Sequence, residues 1–342
     1  MNKYVVSIGD VALDIFSKIE SGLFYATDTP AITSIHPGGS AANFATWISR
    51  LGGNSAFIGK VGNDFIGDYL IKDLENEGVI LNISRGSGFT AIIIALIDNT
   101  GERTMITHRG ESVNLSIKDV NFDIISKASL IFIPAYSLFF GKISKTIIDV
   151  INFIKREEQN IRNINLGKLN NIPDSKRLPF DKKFSIKNYR NALIAIDLSS
   201  YGGIKQYGPK KFENLLKGIK PDILFCNKDE LMTLKHNLSL DEAISEVKNL
   251  SKIFTVKLGK NGCIGHYFNK NGKENIFSLK TRRLKVVDTT GAGDAFDAAF
   301  CYEYLKSGNV KESAEFANSF SSLVITKYGA RPKIDFTPIK NF

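Results

Sequence analysis

Short apolar runs that alternate with stretches of helical periodicity constrain this chain more than any other feature. Leu130–Ile133, Leu193–Asp197, Ile223–Cys226 and Ile253–Leu258 read as buried strands, and Ser144–Arg156 and Leu240–Asn249, lying between them, read as helices. Nearer the amino terminus, Tyr4–Ile8 and Phe57–Val61 read as strands. Ser40–Leu51 reads as a helix stopped by Gly52-Gly53, and Gly67–Glu77 as one ending at Gly78. Two further helices are expected at about Gly293–Lys306 and Val310–Thr326. Repeated strand-then-helix units build a mostly parallel sheet with helices on both faces, so the predicted fold is a three-layer α/β/α sandwich.

Two strand-rich pieces, 16–36 and 88–110, break that rhythm. In the second, Thr90–Ile97 and Arg103–His108 flank the turn Asp98-Asn99-Thr100-Gly101 and read as a hairpin. Having no helices of their own, the two pieces are expected to pair as a small β-sheet lid over one edge. The main α/β unit then comprises 1–15, 37–87 and 111–342. Within it, 157–190 is rich in Asn, Lys and Arg with two prolines, and reads as a surface insertion.

A net charge of +10, from 45 Lys+Arg against 35 Asp+Glu, raises nucleic acid, membrane or anionic substrates as partners. The basic residues are scattered, with Lys280-Thr281-Arg282-Arg283 the densest group, so a solvated basic surface is expected and no nucleic-acid partner. Three cysteines without a C-x-x-C pair read as free thiols in a reducing compartment, and four histidines form no zinc spacing. The longest apolar stretch, Ala91–Ile97, is far short of the roughly 20 residues a bilayer requires, so a soluble cytoplasmic protein is expected.

The strongest chemical signal is Asp288-Thr289-Thr290-Gly291-Ala292-Gly293-Asp294-Ala295-Phe296, running straight into a helix. Small residues let the backbone approach an anion, and unpaired N–H groups at a helix start point at it. Asp294 is placed to take a proton from an incoming hydroxyl. The helix end favours its ionised form and makes it a weak base, which suffices for phosphoryl transfer. The alternative is a plain glycine-rich helix start with an acidic cap. Neither a Walker A loop nor a Rossmann fingerprint fits the spacing.

This segment resembles the carboxy-terminal signature of the ribokinase-like, or PfkB-type, family of sugar kinases. The family's amino-terminal signature appears as 38-GGSAANFATWISRLGG-53 and its Asn-x-x-Glu element as 227-NKDE-230, in family order. The resemblance implies Asp294 as general base and the N–H groups of Gly291, Ala292 and Gly293 as an anion hole. It implies that Glu230 organises Mg²⁺ through water and that Asn227 lies near the ATP phosphates. Lys257, Gly259 and Gly262 match the strand-turn beside the nucleotide, although relatives usually carry Thr at the position of Lys257, and Asn318 matches a position near the adenine. Asp288 and Thr290, with 326–331, match a loop that binds a monovalent cation in some relatives, which makes K⁺ a candidate beside ATP and Mg²⁺.

On the acceptor side, Asp14, Gly38, Gly39 and Asn43 match family contacts to substrate hydroxyls, and Asp10 is expected to join them. Carboxylates and an amide are what a polyol requires, and paired glycines let a ligand lie against backbone. Arg103 and Arg109 on the lid hairpin read either as contacts to an acidic or phosphorylated substrate or as exposed lid charges. Ala12 stands where ribose-specific members have Asn, which disfavours ribose. The expected activity is ATP-dependent phosphorylation of a small sugar-like hydroxyl. A nucleoside kinase is the alternative, with Phe16, Phe24, Tyr136 and Phe139 as candidates for stacking on a base. A non-catalytic relative is a third reading, opposed by the intact Asp294. A homodimer through the lid sheets is expected, because an edge sheet with one apolar face tends to be covered.

Overall fold

Strands that are apolar on both sides must be covered on both sides, and the central strands of this protein meet that demand. The computed structural model describes residues 3–20, 22–100, 102–165, 192–269, 271–282 and 284–335. The strands are β1 (Tyr4–Ile8), β2 (Ala12–Ile19), β3 (Ala31–Gly38), β4 (Asn54–Gly62), β5 (Ile80–Gly86), β6 (Ala91–Ile97) and β7 (Arg103–His108). They continue with β8 (Leu130–Pro134), β9 (Leu193–Asp197), β10 (Ile223–Asn227), β11 (Ile253–Lys257), β12 (Cys263–Phe268) and β13 (Glu274–Leu279). The helices are α1 (Ser40–Arg50), α2 (Phe65–Asn76), α3 (Phe122–Lys127), α4 (Tyr136–Phe139), α5 (Gly141–Asn165) and α6 (Tyr201–Tyr207). After them come α7 (Pro209–Ile219), α8 (Lys228–Leu234), α9 (Leu240–Val247), α10 (Ala292–Ser307) and α11 (Val310–Val324).

Nine strands form the main sheet in the order β13-β12-β11-β10-β9-β8-β1-β4-β5. The seven from β11 to β5 run parallel, and β12 and β13 close one edge antiparallel. Alternation along each strand feeds two cores. Leu130 and Phe132 of β8 join Phe44, Trp47, Phe300 and Phe320 beneath α1, α10 and α11, with Phe44 and Phe132 stacked at 3.8 Å. Ile131 and Ile133 turn the other way, into the core covered by α5, α7 and α9. Among the described residues no helix is long and apolar enough to cross a membrane.

The remaining strands make the separate small sheet, β3-β2-β6-β7. The first lid strand begins at Ala12 rather than near residue 16, because Ala12, Leu13 and Ile15 already pair with Ala91, Ile92 and Ile94. Asp14 therefore stands on the small sheet. Pairing sets Ile35, Ile15, Ile94 and Ile106 side by side on one face of it. Their neighbours in sequence, Asp14, Ile93 and Thr107, form the opposite face.

Helix α5 runs on to Asn165, past its expected end at Arg156, so the start of the predicted 157–190 insertion is a continuation of that helix. Burial of Glu157 and Asn160 against the fold accounts for the extension, and residues 166–191 of that segment lie outside the described residues. After α11 the chain returns to the amino-terminal helices. Arg331 donates to Thr46 and Asp73 at 2.8 Å, while Arg50 of α1 holds the carbonyls of Arg331 and Pro332 at 2.9 Å.

Candidate active site

Parallel strands present their carboxyl ends on one edge of a sheet, and ligand sites of such sheets lie there. Here β1 leads into Asp10, β9 ends at Asp197, β10 at Asn227 and β11 at Lys257, with Asn227 and Lys257 directly paired. The amino terminus of α10 comes down over this edge, and the small sheet faces it. Between them lies a cleft of about 1130 Å³.

The cleft draws together residues from both ends of the chain. Asp10, Asp14, Gly39 and Asn43 line one part, with Arg109; Asn227, Glu230, Lys257, Gly259, Gly262 and Asn318 line the other. Thr290, Gly291, Ala292, Gly293 and Asp294 lie with them. Three predicted residues stand outside the lining. Gly38 backs Asp14, whose carboxylate a side chain at that position would overlap. Arg103 and Asp288 meet each other just outside.

Two glycines set the turns. Gly39 has φ 92°, and a Cβ there would lie 2.6 Å from Val11 Cα, so only glycine lets α1 start against the β1 loop. Gly291 has φ 69° and caps α10, with a Cβ position 2.5 Å from the Ala330 carbonyl. The first-turn N–H groups of α10 have no intrahelical acceptor, although that of Ala292 donates to Thr289 O at 3.2 Å.

Asp294, in the first turn of α10, joins the two halves. Its Oδ1 accepts from Ser40 Oγ at 2.5 Å and its Oδ2 from Asn43 Nδ2 at 2.8 Å. Burial raises its pKa to about 7; the bonds from Ser40 and Asn43 oppose this, and the Asp197 and Asp10 charges add to it. The helix end was expected to favour the ionised form, but desolvation outweighs it. Burial and the Asp10 charge likewise raise Asp14 to about 7. Burial also raises Asp10, against the N–H groups of Ala41 and Ser40. Two buried acceptors here, Asp14 Oδ1 and Asn43 Oδ1, have no hydrogen-bond partner among the described residues.

At the other part an ammonium faces two carboxylates. Lys257 Nζ donates to Asp197 at 2.9 Å and to both oxygens of Asp297 at 3.0 and 3.1 Å. Burial opposes its charge, but Asp197, Asp297 and Glu230 together hold it protonated well above its usual range. Its ammonium lies 3.4 Å from where a Cβ on Gly293 would be, beside the Gly291–Gly293 turn. Asn227 and Glu230 form a reciprocal cap on α8. Burial, then the Asp197 charge, lifts Glu230 to about 8, an environment that a nearby cation would relieve. Among the described residues no group of three or more His, Cys, Asp or Glu side chains could hold a metal, so Mg²⁺ fits here only with water and phosphate completing its shell. Asn318 lends its amide to the Lys280 carbonyl at 3.0 Å.

Asp288 Oδ1 accepts from Thr290 N at 2.8 Å and Thr290 Oγ1 at 2.7 Å, and Oδ2 from Gly329 N at 2.9 Å. Arg103 of β7 donates to both Asp288 and Thr290. Burial alone would raise Asp288, yet these bonds and the Arg103 charge bring its pKa below its usual value. Arg109 instead turns into the cleft over the rings of Tyr136 and Phe140, at 5.4 and 4.3 Å.

Sequence reasoning missed Ser40, Asp197 and Asp297. Asp197 carried the same signal as Asp10, an acid closing an apolar strand. Asp297 lies one helical turn past Asp294, on the same face of α10. Ser40 carried no signal beyond its place after the paired glycines.

The model of the pfkB family carbohydrate kinases matches residues 2–166 and 205–336. A relative from Arabidopsis thaliana, named probable fructokinase-2, is 27% identical over 348 residues, covering 96% of this chain and 92% of the relative. A probable sugar kinase from Rhizobium etli superposes with a TM-score of 0.79 at 23% identity, covering 99% of this chain and 98% of the other. An adenosine kinase from Sinorhizobium meliloti does so with a TM-score of 0.77 at 22% identity, covering 100% and 99%.

Proposed function

Because the chain belongs to the pfkB family of carbohydrate kinases, we propose that it transfers the γ-phosphoryl group of ATP to a hydroxyl of a small sugar or sugar-derived molecule, with Asp294 as general base. The observation that carries this reading is the position of Asp294: one carboxylate touches Ser40 and Asn43 on the acceptor side and sits in the turn Gly291–Gly293 on the phosphate side. A pKa of about 7 suits a base working near neutrality.

In this mechanism the acceptor hydroxyl displaces Ser40 from Asp294, which takes its proton as the oxygen attacks phosphorus in line. The N–H groups of Gly291, Ala292 and Gly293 face the charge that spreads over the transferring group. Glu230 would hold Mg²⁺ through water, with Asn227 beside the ATP phosphates; ATP supplies the transferable phosphoryl group, whose oxygens Mg²⁺ would neutralise. Asp14 Oδ1 and Asn43 Oδ1 offer unused acceptors to substrate hydroxyls, as a polyol would require. Arg109 adds a cation at this end, so a sugar acid fits as well as a neutral sugar.

The nucleoside reading has less support. Of the four aromatic candidates only Tyr136 lines the cleft. Phe16 packs on His36, Phe139 is buried against Phe212, and Phe24 is exposed. We also place the protein as a homodimer through the small sheet, supported by the row Ile35, Ile15, Ile94 and Ile106, of which Ile35 and Ile106 are 58% and 56% exposed. Three buried, unpaired cysteines support a reducing, cytoplasmic setting.

Measuring ATP turnover against hexoses, sugar acids, ribose and nucleosides, with Asp294→Asn beside the natural protein, tests the reading. Turnover on at least one sugar or sugar acid that collapses in Asp294→Asn is expected. Full activity in that variant would overturn the assignment of the base, and preference for a nucleoside would overturn the acceptor class.

A further inference from the structure

The turn that carries the anion hole is anchored by an acid whose charge works against it. Asp288 fixes Thr290 and Gly329 by three hydrogen bonds, and its side chain is only 6% exposed. An unbalanced carboxylate so close to the Gly291–Gly293 amides would repel the phosphoryl group they are to hold. A cation at this spot is therefore required by electrostatics alone, and a monovalent ion is one way to supply it. In this protein the position is already filled from within. The guanidinium of Arg103 donates to Asp288 and to the Thr290 hydroxyl, and with the donors of Thr290 and Gly329 it brings the bonds accepted by the carboxylate to four, three of them on Oδ1. The donor set does not fit a K⁺ ion while Arg103 is in place.

Arg103 does not belong to the turn it neutralises. It stands at the start of β7 in the small sheet, 185 residues away from Asp288 in sequence. It projects from the same face as Met105 and Thr107, which line the cleft. Resting on the phosphotransferase reading above, we propose that Arg103 is the built-in counter-cation of the anion turn and a positioning residue for it. The seating of the small sheet over the cleft and the electrostatic completion of the phosphate site are then a single contact. The turn is competent only when the small sheet is docked, and the protein works without a monovalent cation.

The test uses the full chain in chloride salts of K⁺, Na⁺ or tetramethylammonium at equal ionic strength. Two readouts are taken: turnover, and the rise in melting temperature on adding ATP with Mg²⁺. The natural protein is expected to vary less than twofold in turnover across the three salts, with the same thermal shift in each. Arg103→Ala is expected to lose kcat ~100-fold, the scale of one anion-hole donor, with a smaller change in KM for ATP. Millimolar guanidinium or K⁺ should then restore at least tenfold, a rescue that a merely structural role would not show. Arg103→Lys, which keeps the charge and loses the fork, is expected to fall between the two. A natural protein that needs K⁺ in either readout overturns the proposal, as does an Arg103→Ala protein of full activity or a folded one that no cation restores. If Arg103→Ala does not fold, the salt series on the natural protein and on Arg103→Lys decides. Absence of turnover toward every acceptor would count against the kinase reading and leaves the thermal comparison to judge Arg103.

Discussion

The two ends of the cleft are built on opposite plans. At the end proposed for phosphate, Lys257 answers Asp197 and Asp297, Arg103 answers Asp288, and Asn227 and Glu230 cap each other. At the end proposed for the acceptor, Asp10 and Asp14 lie together and burial raises both, while Asp14 Oδ1 and Asn43 Oδ1 have no partner among the described residues. The first end is largely paired within the chain, with Glu230 left for a cation to relieve, and on the proposed reading it suits a donor that does not change. The second, on the same reading, is completed by what binds it, and there the substrate would be chosen.

The strongest way to break this contrast is at the residue that belongs to both ends. Asp294→Asn keeps the shape and removes the proposed base, and is expected to lower kcat about 10³-fold in a turnover assay with the fold unchanged by circular dichroism. Next, Lys257→Met strands Asp197 and Asp297 without a counter-charge. Breaking a buried pair from one side costs about 3 kcal/mol or more, so the urea midpoint should fall markedly even where activity is not measured.

Substitutions at the open end should behave differently. Asp14→Asn alters a carboxylate whose Oδ1 has no partner among the described residues and is proposed to meet the acceptor, so KM for the acceptor should rise about tenfold or more with little loss of stability. If stability fell as far as in Lys257→Met, the two ends would not differ in the way described. The pH dependence sharpens the same point. Asp294 and Asp14 both titrate near 7 in the folded protein, above their unfolded values. Their contribution to stability is therefore full at acid pH and is lost as pH rises from about 4 through 7, while turnover, which needs Asp294 ionised, rises over the upper part of that window. Urea midpoints and kcat/KM measured from pH 5 to 8 should move in opposite directions if these groups dominate. The smallest effect is expected from Ser40→Ala, which removes one hydrogen bond to ionised Asp294. The acid limb of the rate profile should shift upward by up to about one unit.

Much of this contrast was legible in the sequence wherever chemistry is written in local pattern. The turn before α10, the paired glycines before α1 and the cap at Asn227–Glu230 each announce themselves within a few residues. The parallel strands did so by apolar runs bounded by turns. What sequence could not supply was pairing across long separations. Arg103 read as a substrate contact or a lid charge because its partners lie far along the chain, and Lys257 read only as part of the strand-turn beside the nucleotide because Asp197 and Asp297 gave no sign of converging on it. Strand β5 and the β12–β13 hairpin were missed for another reason. Residues such as Ile80, Asn82 and Ser84 in β5, and Glu274 and Ser278 in β13, are only half-apolar, as edge strands are, and their alternation is too weak to read alone.

The clasp of Arg50 and Arg331 around the returning chain bears on how the protein is made. Strand β1 lies between β4 and β8, yet the helices that cover it on the α1 side, α10 and α11, and the clasp itself all follow residue 291. During vectorial synthesis the early strands must wait, partly uncovered, until the stretch beyond residue 291 is translated. A ribosome stalled before that point would display a large apolar surface, and the nascent chain is expected to be a client of holding chaperones until Arg331 emerges.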